Sequence, residues 1–258
     1  MTAGSTDGGW GTDPASRLHL GRALVRREVN VVLFVLVLLA ALVALGVAHE
    51  YGRMLEAGGR TAGLDRMLRR FDLTMMYLTA LLLTFRLAAR VESDHLSGWL
   101  EPVIAAGGSR WAYGVQLALV CLIPPAAIFT VTAVAFAAGV AGFTGSSELL
   151  TMLPRTVAGG ILVLGTFAVC AGVLGVLLRS GSATLVLTLL LVLAPLIGFV
   201  RYASSGVRLP GWLIALAYLS PLPVMPSEPE LVVRGLLYIG IGLPALAVAS
   251  YRCAGRHQ

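Results

Sequence analysis

The stretch VVLFVLVLLAALVALGVA, residues 31–48, runs for 18 residues without a single charge. At about 1.5 Å of helical rise per residue it reaches about 27 Å, close to the roughly 30 Å hydrocarbon core of a bilayer. Lipid offers no partner to backbone amides and carbonyls, so the segment has to satisfy them within itself, as a helix does. It reads as a transmembrane span. Similar apolar runs recur at about 73–89, 111–140, 157–178, 183–200 and 231–251, which predicts six crossings. With 258 residues, 57% of them hydrophobic and 12% charged, and a mean hydropathy of +0.86, the chain is too apolar for a water-soluble fold. The expected class is an all-α integral membrane protein, a single domain over 14–258 behind a disordered tail at 1–13.

The connections carry their own signals. Residues 1–12 are rich in Gly, Ser and Thr and lack a basic leader, so they read as a tail and not as a signal peptide. Asp13-Pro14 pairs a helix N-cap with proline at the first helical position. It opens a segment in which Leu18, Leu20 and Leu24 alternate with Arg17, Arg22, Arg26 and Arg27, the pattern of a helix lying in the headgroups. Residues 49–70 form a connector broken at Gly58-Gly59 and Gly63. Arg86 and Arg90, near the end of the second span, are expected to snorkel to one interface. Pro124-Pro125 should kink or break the long third span. The turn Arg179 to Ser182 makes the fifth span an antiparallel neighbour of the fourth. Between Arg201 and Glu230, five prolines punctuate an apolar run too short to cross and return, which reads as a re-entrant helical segment. Ala168, Gly172 and Gly175, at three- and four-residue spacings, mark a candidate close helix contact.

All 19 basic residues are arginine. Without lysine the chain can build neither a P-loop nor a Schiff base, so ATP would have to be bound and hydrolysed by a partner. The arginines sit singly or in pairs at the ends of apolar runs, which is interfacial anchoring and not a nucleic-acid patch. Six crossings would put ten arginines on the side of the termini and nine on the other, so the positive-inside rule barely orients the chain; the four before the first span favour a cytoplasmic N-terminus. Cys121, Cys170 and Cys253 are far apart and read as packing residues. No metal-ligand spacing, nucleophile elbow or carboxylate well inside an apolar run is present, so catalytic, cofactor and metal sites are not expected in the chain.

The informative insertion is residues 92–110. Leu96, Trp99, Leu100, Val103 and Ile104 recur at helical spacing and give one apolar face, with Glu92, Asp94 and Glu101 expected toward water. Such a surface helix suits a docking knob for another protein. Periodicity alone favours a plain interfacial linker.

The same run resembles the region between the second and third spans of type 2 ABC exporter membrane subunits: Glu92, Gly98, Leu100-Glu101 and Arg110 stand at matching places. Gly107-Gly108 replaces a proline common in that family, and Pro102 follows the glutamate. Leu219-Ser220-Pro221-Leu222 is similar to the family's motif after its re-entrant helices. The resemblance implies a permease subunit of the bacterial cytoplasmic (inner) membrane that pairs with a second permease subunit. It also implies a separate ABC ATPase gripping a cytoplasmic coupling helix through Glu92, Asp94, Gly98, Trp99, Leu100 and Glu101, with Ser220 and Pro221 in the re-entrant motif. Two other readings compete. The chain is also similar to haem-associated membrane subunits of cytochrome c maturation, with His49 and His95 as the candidate ligands, and a non-transporting membrane scaffold fits the composition as well.

Overall fold

A computed structural model describes residues 31–56, 64–98, 110–145 and 148–204, together with Ser220 and Leu222. These residues form five helices: α1 (Val31–Glu56), α2 (Leu64–Leu96), α3 (Arg110–Thr144), α4 (Glu148–Leu178) and α5 (Gly181–Ser204). Segments Leu33–Arg53, Phe71–Leu96, Tyr113–Thr144 and Leu149–Leu178 are long and apolar enough to cross a bilayer, while Gly181–Ile197 is a shorter apolar helix. The architecture is that of an all-helical, multi-pass membrane protein. The N-terminal interfacial helix, the expected span at 231–251 and most of the re-entrant segment lie outside the described residues.

The helices extend beyond the apolar runs. α2 starts in the amphipathic stretch before Phe71 and continues through Glu92 and Asp94 to Leu96, because the charges at its end find partners inside the bundle. α3 passes through Pro124 and Pro125 without a break, although the prolines deprive the carbonyls of Val120 and Cys121 of their usual donors. Both prolines are buried among neighbouring helices, where packing holds the axis through the gap. α4 begins at Glu148 and includes Pro154.

Three of the helix ends share one device, a residue in the left-handed region. Gly98 (φ 66°) follows α2, Gly145 (φ 67°) follows α3 and Arg179 (φ 54°) follows α4. Glycine adopts this conformation without a Cβ penalty, whereas arginine pays a steric cost for it. Each carries an amide that returns to the helix it ends: Gly98 to His95 O at 3.1 Å, Gly145 to Ala141 O at 2.9 Å and Arg179 to Gly175 O at 3.1 Å.

The ends alternate, so the termini of α2 and α4 meet the starts of α3 and α5. α3 packs most extensively on α4 and then on α1, while α5 packs chiefly on α2 even though only two residues join it to α4. The larger core runs along α2, α3 and α4 through Tyr77, Leu83, Leu117 and Phe167 and includes Leu222. A smaller core at the other end gathers Ala44, Phe71, Phe136 and Leu149, with Phe71 stacked on Phe136 at 4.1 Å. α1 lies at the edge of the bundle and exposes Phe34, Leu38, Leu39 and Leu42, as a helix facing lipid can.

Small residues set the closest approaches. A Cβ on Gly172 would lie 2.6 Å from the Gly114 carbonyl oxygen and 2.7 Å from Ala118 Cβ, so α3 and α4 touch backbone to backbone there. A Cβ on Gly175 would meet Val91 of α2 at 2.8 Å and Thr184 of α5 at 3.2 Å. The stripe read at Ala168, Gly172 and Gly175 is therefore a contact surface shared between different neighbours. Cys121 and Cys170 are buried free thiols packed like small apolar residues.

Candidate functional site

At the end of the bundle where α2 stops, polar side chains of α2 and α3 gather. Asp94 lies one turn beyond Arg90 on α2, and the Arg90 Nε sits 3.2 Å from each carboxylate oxygen. Tyr113, on the first turns of α3, donates its hydroxyl to Asp94 Oδ2 at 2.5 Å. Asp94 is only 6% exposed. A carboxylate enclosed to this degree costs several kcal/mol in lost hydration unless charge and hydrogen bonds replace the water. Arg90 and Tyr113 supply both.

Glu92 is bound differently. Its Oε2 accepts the backbone N–H of Gly181 at 2.7 Å. Gly181 is the first residue of α5, whose early amides have no partner within the helix. Ser180 caps one of them, its Oγ accepting from Ala183 N at 3.3 Å, and Glu92 of another helix caps Gly181. A carboxylate at this position also meets the positive end of the helix dipole. The bond requires glycine: a Cβ at 181 would lie 2.6 Å from the Ala88 carbonyl oxygen and from Glu92 Cβ.

These contacts revise the expected display of acids to water. Asp94 turns inward to α3 and Glu92 is half-buried against α5, so neither is presented as a free surface charge. Arg90 folds onto Asp94 instead of snorkelling freely. The helix expected over 92–104 is divided: residues up to Leu96 belong to α2, and Gly98 in the left-handed conformation ends it. Trp99, Leu100 and Glu101 lie outside the described residues. Asp94, His95, Tyr113 and Arg179 rim a small crevice floored by Leu117 and Val176.

The second motif is anchored in the core. Ser220 and Leu222 are both fully buried, and Leu222 N–H donates to Ser220 Oγ at 3.2 Å, a short side-chain-to-backbone turn. Pro221 lies outside the described residues. The two histidines weighed as haem ligands stand far apart. His49 packs on Phe143 with ring centroids 4.8 Å apart near the smaller core, whereas His95 sits at the end of α2, about 36 Å along the helix from Phe71. Among the described residues no three His, Cys, Asp or Glu side chains converge as a metal site.

Sequence reasoning missed Tyr113 and Gly181. Tyr113 read as the beginning of an apolar run and Gly181 as part of a turn, and neither position signals a partner on α2. Compared with known proteins, the chain matches no family model, no curated protein and no solved structure.

Proposed function

We propose that this chain is the membrane-spanning permease subunit of an ATP-driven exporter of the type 2 ABC class. It would reside in a bacterial cytoplasmic membrane, pair with a second permease subunit and be driven by a separate ATPase. The observation that carries the reading is the braced end of α2. Asp94 and Glu92 fix that end to α3 and α5, and Gly98 turns the chain off the helix there. The end of α2 that precedes the connector is thus held on two sides, and a firm base is what a segment gripped by a motor protein requires. In this reading Trp99, Leu100 and Glu101 contact the ATPase, Gly98 sets their direction, and Glu92 and Asp94 hold the base instead of touching the partner.

The absence of lysine supports the division of labour, since the phosphate-binding loop must then come from another chain. The resemblance at Glu92, Gly98, Leu100-Glu101 and Arg110 and at Ser220-Pro221 supports the class. The test is co-purification from the native membrane with an affinity-tagged chain. A partner carrying a P-loop should accompany the wild type, with ATP hydrolysis that falls when Glu101→Arg reverses the charge of the contact. A wild-type chain that brings down no nucleotide-hydrolysing partner contradicts the proposal.

A further inference from the structure

The α2–α4–α5 joint stands out because it closes on a side chain 89 residues distant from the amide it binds. Two glycines bring the elements together. Gly175 of α4 lets Val91 and Leu87 of α2 and Thr184 of α5 approach, and Gly181 lets the start of α5 sit on Ala88 and Glu92. Thr184 is fully buried and donates back to Ser180 O at 2.7 Å, fixing the first turn of α5. The Glu92 side chain crosses from α2 to a backbone group of α5. Asp94, two residues on, faces α3 instead. The two acids therefore tie one helix end to two different neighbours.

We propose that Glu92 is a positioning residue: its bond to Gly181 N–H latches the end of α2 to the α4–α5 turn, so that displacement of the segment after Gly98 carries the start of α5 with it. This rests on the exporter reading above for the source of the displacement, but the latch itself is a property of the chain alone. Loss of the carboxylate removes a charge-assisted hydrogen bond and the favourable interaction with the helix dipole, which should shift the latched-to-open ratio by about tenfold to a hundredfold. Glutamine keeps an acceptor oxygen at the same reach and loses the charge, so it should open the joint less than alanine does.

The experiment uses the full chain in liposomes, with whatever ATPase co-purifies, and paired spin labels at the exposed positions Ser93 and Ala183. Dipolar broadening between the labels should be strong in the wild-type background and unchanged by ATP with vanadate, because the two ends move as one body. In Glu92→Ala it should weaken without nucleotide and weaken further with it, while the amount of bound ATPase stays the same; Glu92→Gln should fall between. Gly181→Ala, which keeps the carboxylate in the sequence but forces the start of α5 away from Ala88 and Glu92, should reproduce the alanine variant. Broadening that is equal in wild type and Glu92→Ala overturns the latch. Loss of the bound ATPase in Glu92→Ala also overturns it, since Glu92 would then be a docking contact. If no ATPase accompanies the wild type, the exporter reading fails, and the nucleotide-free comparison still decides the latch.

Discussion

Asp94→Ala gives the sharpest test of the polar joint. The change removes the acceptor of Tyr113 and the counter-ion of Arg90, whose side chain is 13% exposed against 9% for that of Asp94. Exposed ion pairs are worth roughly 0–1 kcal/mol, whereas removing one partner of a buried pair costs about 3–5 kcal/mol because the other charge is left without compensation. A chain unfolded in micelles still finds partners for its polar groups, which moves the expectation to the low end, about 3 kcal/mol. Arg90→Leu should cost a similar amount. In the double variant no charge remains unpaired, so its cost should fall well below the sum, with a coupling of at least about 1 kcal/mol. Reversible unfolding by SDS titration in mixed micelles, with helicity as the signal, measures all four corners of the cycle. A single-variant cost under about 1 kcal/mol, or strict additivity in the double variant, would refute the burial and pairing described for this site.

Other substitutions probe the remaining contacts. Tyr113→Phe removes only the hydroxyl bond to Asp94 and should lower stability by about 1–2 kcal/mol, less than loss of the carboxylate, in the same titration. Gly172→Ala forces a methyl group into the Gly114 carbonyl and Ala118 and should destabilise by about 1–3 kcal/mol, whereas Gly159→Ala, which meets open space, should be neutral or stabilising. Thr84 is fully buried and its Oγ1 has no hydrogen-bond partner among the described residues, so Thr84→Val should leave the unfolding midpoint unchanged or raise it. Gly98→Ala places a Cβ on a left-handed residue and should cost about 1–2 kcal/mol; under the exporter reading it should also reduce ATPase capture.

Much of the helical content was legible because apolar runs of bilayer length leave the backbone few alternatives. Residues 31–48 announce α1 without reference to any neighbour. The helix limits were less legible, since hydropathy falls at charges while helical geometry does not. α2 therefore reaches Leu96, beyond the expected limit near residue 89. Pro124-Pro125 likewise signals lost hydrogen bonds, yet packing on both sides keeps α3 continuous. The candidate site was legible in location but not in orientation. Periodicity assigns Glu92 and Asp94 to a polar face of one helix; their burial depends on Gly181 and Tyr113, which other helices deliver from distant points in the chain. Glycine spacing did mark the contact at Gly172 and Gly175, because only residues without bulk permit such approach. It could not assign Gly172 to α3 and Gly175 to α2 and α5.

Coupling to an ATPase requires the braced end of α2 to face the compartment that holds ATP. A chain with Cys121, Cys170 and Cys253 replaced by alanine and the exposed Ser97 replaced by cysteine can be labelled with a membrane-impermeant maleimide in intact cells and in inside-out vesicles. Reaction in the vesicles alone is the predicted result. Reaction in intact cells would place the connector outside the cytosol and contradict the proposed coupling to an ATPase.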